Sequence, residues 1–412
     1  MDEELLVSVS AGLTRVALLA GGLAQELHLE RADCPSLVGN LYLGRVQRLL
    51  PGMNSAFVDI GGGANGLLTG ADLPTPGAIE KQLCVGQGLL VQVTRDALGD
   101  KGPRLTAAVT FASRYLVLAT AGARGQVSRR IRSAGERQRL RQILSDLGAE
   151  LGLDSAALIA RTAAESVTAS RLRADARRLA ARWLQHRDSA GQIVRPRLVL
   201  AEPPLPQRVL RDSAGARIAR VVVDDARCAT DIRDWSDNNL ECPVSVVVDC
   251  DDPGTLFQRR GVEAAIAAAL IATVPLPSGG NLVIERTEAM VTVDVNTGTY
   301  TGHNDLEQTL LQTNLEAAAT LPRQLRLRAL GGIIAIDFID LQESGHRRAV
   351  LLALEQALVG DPDAGAITSV GKLGLVILTR RQPRPPLIEV LTAPCSQCAG
   401  SGRSPLSAAT AL

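Results

Sequence analysis

The chain has 412 residues, of which 46% are hydrophobic and 21% are charged, and its formal net charge is +1. This length allows two to four domains with separate cores, and an aromatic content of 2% excludes cores built mainly from Phe, Tyr and Trp. Arginines crowd residues 124–187, while acids crowd residues 224–252. Local basic surface can bind phosphates even when the whole chain is nearly neutral.

Short strands dominate the first part of the chain. Residues 5–10 and 14–19 alternate like a hairpin, which residues 27–29 extend. After Gly39, glycine turns separate strands that predict a small antiparallel barrel, at residues 44–46, 56–60, 66–68 and 89–93. The segment 61–66 matches GxGxxG, but a strand follows it instead of a helix, so we interpret it as a barrel turn.

The middle of the chain predicts a strand at 115–118, a strand at 158–162 that ends in a basic tip, and helices at 136–147 and 169–186. The second helix is rich in arginine, which usually means a solvated face. Residues 196–206 are rich in proline and are interpreted as a linker or as a segment that crosses between domains.

Helical and extended segments alternate in the last part of the chain. The first segments lie at residues 209–212, 220–223, 244–249 and 261–272. The next group predicts strands and helices of a mixed α/β layer, with strands at 282–286, 290–295, 332–340 and 374–379 and helices at 305–328 and 346–358. Pro322 is expected to kink the longer helix.

Export and membrane signals are missing from the sequence pattern. Residues 1–4 are acidic and no apolar leader follows them, and the most apolar helix candidate, 262–274, is too short to cross a bilayer. Five of the seven cysteines are scattered singly, which fits a reducing compartment better than a disulfide framework. We therefore expect a cytoplasmic protein without a membrane partner.

Two strands near the C-terminal end carry acidic residues within runs of Val and Ile. Asp294 and Asn296 are two apart on a strand and share one face, and the second strand carries Asp337. A carboxylate inside an apolar run loses hydration unless an ion compensates, which predicts a Mg²⁺ site at these three residues. The alternative is that they cap turns at the strand ends. Asp340 is a secondary candidate, because it faces away from Asp337 if the strand continues.

The histidine and cysteine spacings limit the remaining chemistry. The four histidines show no HxH or HxxxH spacing, which disfavours a histidine-ligated zinc catalyst or a two-histidine ribonuclease mechanism. Cys395 and Cys398 form one CxxC pair, whereas a structural zinc needs four ligands. Either a second copy of the chain supplies the other two ligands, or the pair is a reduced turn.

Several motifs together resemble the ribonuclease E/G family of bacterial endoribonucleases over nearly the whole chain. They are LPSGGNLVIERTEA (276–289), VDVNTG (293–298), NLEAA (314–318), RQLRLR (323–328), LGGIIAIDFID (330–340) and the CxxCxGxG tail from Cys395. The resemblance implies a multi-domain α/β fold of six parts. These are an RNase H-like domain (1–35 and 195–278), an S1 barrel of OB type (36–118), a 5′-sensor region (119–194), a DNase I-like catalytic domain (279–393), a zinc-link (394–403) and a tail (404–412).

The resemblance also assigns residues. Asp294 and Asp337 match magnesium-binding aspartates, and Asn296 matches the catalytic asparagine beside them. Three further sets follow in the same way: Arg161, Thr162 and Val117 for a 5′-monophosphate; Phe57 and Lys101 for RNA; Cys395 and Cys398 for one zinc shared by two protomers. A guanidinium fork suits a phosphate dianion.

The sequence departs from the family pattern at three places. Leu67 stands where a second stacking aromatic is usual, Ala163–Ser166 replaces a glycine-rich continuation, and no sensor arginine lies near Ala364. We expect no tetramer-forming domain and no degradosome scaffold, so that a zinc-linked homodimer is the largest assembly.

The expected function is Mg²⁺-dependent endonucleolytic cleavage of single-stranded, A/U-rich RNA in rRNA or mRNA processing or decay. The products would carry a 5′-phosphate and a 3′-hydroxyl. The alternatives are an RNA-binding protein of the same lineage with weak or no nuclease activity, and a zinc-bridged dimeric scaffold.

Overall fold

A computed structural model of the chain describes residues 3–63, 65–97, 101–122, 125–153, 156–187, 195–213, 218–240, 244–249, 254–299, 306–370, 375–382 and 384–398. The strands of this described part are β1 (Glu3–Ser10), β2 (Leu13–Ala20), β3 (Leu23–Arg31), β4 (Leu41–Leu50), β5 (Ser55–Asp59), β6 (Asn65–Thr69), β7 (Gly88–Arg95), β8 (Arg104–Thr106), β9 (Thr110–Ala112), β10 (Leu116–Ala119), β11 (Gln126–Val127), β12 (Ala157–Ala160), β13 (Arg197–Leu200), β14 (Ile218–Val223), β15 (Ser245–Val248), β16 (Thr273–Pro275), β17 (Asn281–Arg286), β18 (Val291–Asn296), β19 (Gly332–Asp337), β20 (Ala364–Val370) and β21 (Leu375–Arg380). Its helices are α1 (Ala134–Glu150), α2 (Ala169–Arg187), α3 (Leu205–Asp212), α4 (Ala226–Asn239), α5 (Leu256–Arg259), α6 (Val262–Ala269), α7 (Leu306–Leu327), α8 (Ser344–Ala357) and α9 (Leu387–Leu391).

The chain divides into two compact units. The first contains Met1–Ser8, Arg15–Leu29 and Asp249–Leu412, and the second contains Val9–Thr14 and Glu30–Val248. The predicted tail, 404–412, and the last part of the predicted zinc-link, from residue 399 onward, lie outside the described residues. Within the described part, no helix is both long and apolar enough to cross a membrane.

A six-stranded sheet forms the centre of the first unit, in the order β16-β17-β18-β19-β21-β20. Only β18 and β19 run parallel among the pairs whose register is defined, and α7 connects them. A parallel pair needs such a crossover. Alternate strand residues face a core shared with α7 and α8, which includes Val293, Ile336, Leu378, Leu321 and Leu354. The mixed α/β layer predicted for this region is therefore confirmed.

Helix α7 is longer than most and contains Pro322. The helix does not end at Pro322 but continues past it to Leu327. Pro322 is itself buried in the helix, with Leu321 and Leu325 on the core side. Packing of this apolar face offsets the hydrogen bond that a proline inside a helix cannot donate.

The second unit contains a closed five-stranded barrel. Its strands follow the order β4-β5-β6-β8-β7, and pairing of β4 with β7 closes it. Val46, Val58, Leu68, Val91 and Leu105 fill the interior. The barrel predicted from the sequence is confirmed, with one difference: β6 and β8 pair in parallel, because β7 intervenes along the chain and reverses its direction.

A second sheet of this unit has the order β11-β12-β10-β9 and packs against α1 and α2. Strand β10, which follows the predicted barrel strands along the chain, pairs with β9 and β12 and belongs to this sheet. The buried side of α2 contains Leu172 and Leu179, whereas its Arg173 and Arg177 form ion pairs with Glu150 of α1. The arginines of α2 thus form the solvated face that the sequence predicts.

Candidate functional site

The two candidate metal-binding aspartates lie on neighbouring strands of the six-stranded sheet. The parallel register of β18 and β19 places Asp294 directly opposite Asp337. Neighbouring strands are about 4.8 Å apart, so the two carboxylates can approach a common ion. The Asn296 amide donates a hydrogen bond to Oδ2 of Asp294 at 2.7 Å, which orients that carboxylate. The structure therefore brings all three residues together.

These acids are not dehydrated, so the predicted loss of hydration is wrong. Asp294, Asn296 and Asp337 are all exposed, while Val293 and Ile336 beside them are buried. Because successive strand residues face opposite sides of a sheet, the apolar residues enter the core and the acids do not. Loss of hydration does not mark this site. The marker is the register, which aligns two carboxylates on one open face.

The donor set fits a hard cation. Two carboxylates and an amide oxygen are ligands that Mg²⁺ accepts, and it usually retains several waters. Asp340 lies beyond the end of β19, which stops at Asp337, and its side chain is exposed. No group of three or more His, Cys, Asp or Glu side chains in the described residues could hold a metal ion alone. An ion at this pair would complete its coordination with water or phosphate oxygens.

A buried asparagine fixes the loop that follows Asp337. The Asn314 side chain donates to the carbonyl of Ile339 at 2.8 Å and accepts from its N–H at 3.0 Å. Asn314 is fully buried in α7. The sequence motif contained this residue but gave it no role. A buried amide within an apolar helix face is the signal that could have identified it, because buried polar groups are normally hydrogen-bonded.

The first turn of α7 supports the same loop. Glu307 accepts hydrogen bonds from the N–H groups of Gln342 and Glu343 and pairs with Nδ1 of His346 at 3.0 Å. The His346 contact and the backbone bonds lower the pKa of Glu307, so it remains a carboxylate. Two helix residues, Asn314 and Glu307, thus hold the chain immediately after β19.

The turn after β18 explains two glycine-rich motifs at once. Gly298 has a φ of 57°, and a Cβ atom there would lie 2.5 Å from the carbonyl oxygen of Gly279. Only glycine combines this left-handed backbone with such a close approach. The N–H of Thr299 also donates to the Gly279 carbonyl at 3.3 Å. This contact fixes the segment that carries Asp294 and Asn296 against the preceding turn.

The barrel presents one aromatic side chain on a basic stripe. Phe57 on β5 is 36% exposed, and its Cα partners are Arg48 on β4 and Leu67 on β6, which in turn pairs with Arg104 on β8. We call Arg48, Phe57, Leu67 and Arg104 the barrel stripe. Lys101 is also exposed. The sequence missed Arg48 and Arg104, because strand pairing, not spacing along the chain, places them beside Phe57.

The three candidate 5′-phosphate residues lie around the end of β12. Val117 pairs with Ile159, two residues before Arg161, so Val117 and Arg161 share a face of the sheet. Thr162 follows Arg161, and its Oγ1 lies 2.9 Å from Oγ of Ser128. The Arg161 guanidinium is already engaged, since it donates to the carbonyl of Ser113 and forms an ion pair with Asp212, which the sequence missed.

The CxxC pair forms a turn with two free thiols. Cys395 is exposed and Cys398 is half-buried. Backbone N–H groups of Cys398 and Gln397 hydrogen-bond to the Cys395 thiol and lower its pKa. Zinc binds thiolates, so the turn fits half of a tetrahedral zinc site.

Comparison with known proteins identifies the family. The model of the ribonuclease E/G family matches residues 110–383. Ribonuclease G of Escherichia coli strain K12 is 41% identical over 98% of this chain and 84% of its own length. Ribonuclease G of Haemophilus influenzae is 39% identical over 97% and 84%, and ribonuclease E of Nostoc sp. is 37% identical over 89% and 54%, respectively. The resemblance inferred from the motifs is confirmed, and the chain belongs to the ribonuclease E/G family.

Proposed function

We propose that this endoribonuclease cleaves single-stranded, A/U-rich RNA by Mg²⁺-dependent hydrolysis and leaves a 5′-phosphate and a 3′-hydroxyl. The alignment of Asp294 with Asp337 on adjacent strands is the observation that carries the proposal. Membership of the ribonuclease E/G family supports internal RNA cleavage, because the related proteins are named ribonuclease G and ribonuclease E. The substrates would be rRNA precursors or mRNA during processing and decay.

In this proposal, Asp294 and Asp337 hold the ion. A bound Mg²⁺ would stabilise charge that develops on the phosphate oxygens and favour ionisation of a nearby water. Asn296 orients Asp294 through its amide hydrogen bond. Asn314 and Glu307 hold the chain that follows Asp337, so that this carboxylate stays in place without reorganisation.

The direct test is incubation of a 5′-labelled single-stranded RNA with the protein in Mg²⁺, in EDTA, and in EDTA followed by excess Mg²⁺. We expect internal cleavage only when Mg²⁺ is present, with products that polynucleotide ligation shows to carry 5′-phosphates. A matched G/C-rich RNA should be cut more slowly. Cleavage in EDTA, or products that end in 2′,3′-cyclic phosphates, would refute the mechanism. Tight RNA binding without turnover would support the alternative of an RNA-binding protein.

The domain assignment follows the same resemblance. We propose the S1 barrel for 36–118, the 5′-sensor region for 119–194, the RNase H-like domain for 1–35 and 195–278, and the DNase I-like domain for 279–393. The closed barrel of OB type supports the first assignment. We also propose a cytoplasmic location, which the free Cys34, Cys84 and Cys228 support.

The barrel stripe provides a test of RNA binding. Changing Phe57 to Ala should weaken binding of single-stranded RNA by about 1–3 kcal/mol, the value of one base stacked on an aromatic ring. Changing Arg48 to Ala should lower the slope of log K against log salt by about one, since one phosphate contact is lost. Fluorescence anisotropy across a salt series measures both quantities. Val85 is 65% exposed on the same barrel, so Val85→Ala is the matched control. Equal affinities for Phe57→Ala and Val85→Ala would exclude the stripe.

We propose that two chains share one zinc ion through Cys395 and Cys398 from each, which supplies four thiolate ligands. Replacing both cysteines with Ser should convert a dimer into a monomer and remove about one zinc per two chains. Light scattering after size exclusion gives the mass, and atomic absorption gives the metal content. Cys84→Ser, which removes an exposed single thiol, is the control. A dimer that persists in the double variant would rule out the zinc link and leave the pair as a reduced turn.

A further inference from the structure

The Arg161 guanidinium forms an ion pair with the Asp212 carboxylate in this structure. Nη1 of Arg161 donates to the Ser113 carbonyl at 2.5 Å and lies 2.9 Å from Oδ1 of Asp212. The Arg161 side chain is 20% exposed and that of Asp212 is 43% exposed. The ion pair therefore lies at the surface of the second unit, where a ligand from solution can reach it.

Asp212 is held in this position by its neighbour on α3. Nε of Arg211 donates to Oδ1 of Asp212 at 3.1 Å and Nη2 donates to Oδ2 at 2.8 Å, a bidentate pair. Nη1 of Arg211 meets Glu202 at 2.6 Å. Burial raises the pKa of Asp212, but the hydrogen bond and charge of Arg211 and the charge of Arg161 bring it below its usual value. Asp212 is therefore charged at neutral pH and remains a competitor for any anion at Arg161.

We propose that Asp212 competes with an RNA 5′-monophosphate for the Arg161 guanidinium and thereby sets how strongly this enzyme discriminates between 5′ ends. The proposal rests on the assignment of Arg161 to the 5′-phosphate. A phosphate dianion uses the same N–H donors as a carboxylate, so it must displace Asp212 or bind beside it against like charge. A 5′-hydroxyl end carries no such charge, so Asp212 should not change its affinity for the protein. The ion pair therefore lowers affinity for phosphorylated ends selectively.

Arg211 gives Asp212 a second cationic partner besides Arg161. Arg211 in turn has a second carboxylate partner in Glu202. Loss of the contact between Asp212 and Arg161 to an incoming phosphate therefore leaves none of these charged groups without a partner. Asp212 is thus a displaceable competitor instead of a fixed block.

The test uses two RNAs of one sequence, with a 5′-monophosphate or a 5′-hydroxyl. For each protein we compare the ratio of cleavage rates in Mg²⁺ and the ratio of dissociation constants in EDTA. Asp212→Asn keeps the size of the side chain and removes its charge. This variant should raise both ratios in favour of the monophosphate by about fivefold, the order expected for one partly exposed ion pair. Adding Arg161→Gln to Asp212→Asn should lower both ratios to about one, so that the double variant no longer discriminates between the two RNAs.

Glu150→Gln is the matched control, because it also removes a surface carboxylate that pairs with arginines of the second unit, at α2. It should leave both ratios as in the wild type. Unchanged ratios in Asp212→Asn, with thermal unfolding like that of the wild type, would overturn the proposal, as would equal effects on both RNAs. Binding in EDTA tests Asp212 even if no RNA is cleaved. A wild type that binds RNA but does not cleave it would contradict the nuclease function. The ratio of dissociation constants in EDTA would then still decide whether Asp212 competes with the 5′-phosphate.

Discussion

Replacing Asp294 or Asp337 with Asn lowers the rate of RNA cleavage by about 10²-fold or more, as expected when a major electrostatic contributor to the transition state is lost. Each substitution keeps the shape of the side chain and removes one charge from the pair that the register of β18 and β19 aligns. Binding of RNA in EDTA should not weaken, because the substitutions reduce repulsion between the protein and the phosphates. Single-turnover cleavage and anisotropy measure the two effects separately.

Glu355→Gln is the control for this result, since Glu355 is an exposed carboxylate on α8 of the same unit. It should cleave like the wild type. Asp340→Asn tests whether a third carboxylate, just beyond the end of β19, belongs to the centre. A rate loss there as large as that of Asp337→Asn would extend the centre to a third carboxylate. Wild-type rates in both Asp294→Asn and Asp337→Asn would show that the metal assignment is wrong.

Replacing Asp361 with Ala destabilises the first unit by about 3–5 kcal/mol, because it removes both short carboxylate contacts of a buried guanidinium. Among the described residues, only Asp363 then remains as a carboxylate partner, at 3.7 Å from Nη2 of Arg380. Nε of Arg380 donates to Asp361 at 2.8 Å and Nη2 donates at 3.1 Å. The Arg380 and Asp361 side chains are only 3% and 1% exposed. The remaining Arg380 donor bonds the Leu330 carbonyl, so this pair connects β21 to the start of the β19 strand that carries Asp337.

Urea unfolding followed by circular dichroism measures this loss. The matched control is Glu389→Ala, which breaks an ion pair with Arg286 whose two side chains are about 40% exposed. Exposed pairs are worth about 0–1 kcal/mol, so the control should unfold almost like the wild type. If the two variants lose equal stability, burial does not determine the strength of these pairs and the physical argument fails.

Sequence periodicity predicted most of the elements. Helices expected at 136–147, 169–186, 305–328 and 346–358 correspond to α1, α2, α7 and α8 with shifted ends. Amphipathic spacing over many residues determines these helices, so they need little information from elsewhere. Strand β20 was missed, because Ala364–Val370 has a weak apolar pattern and pairs only with β21 at the sheet edge.

Some residues of the candidate sites could be predicted from the sequence, and others could not. Asp294, Asn296 and Asp337 were found from the sequence, although the reason first given for them, loss of hydration, was wrong. Asp212 and Asn314 could not have been found from spacing alone. Asp212 meets Arg161 from 51 positions away along the chain, and Asn314 meets Ile339 from 25 positions away. These two contacts form only when a particular helix packs beside a particular end of a sheet, and sequence spacing does not reveal that packing.

The family and the alternation of strands and helices could be predicted from the sequence alone, which also singled out the two aspartates and two cysteines that we propose as metal ligands. These features depend on local patterns and on motifs that are contiguous in the chain. Three other features are visible only in the folded chain: the aspartates lie side by side on an open sheet face, β10 joins a second sheet, and Asp212 forms an ion pair with Arg161. Strand register and helix placement determine these contacts, because both minimise the free energy of the whole core and are not encoded in any one segment.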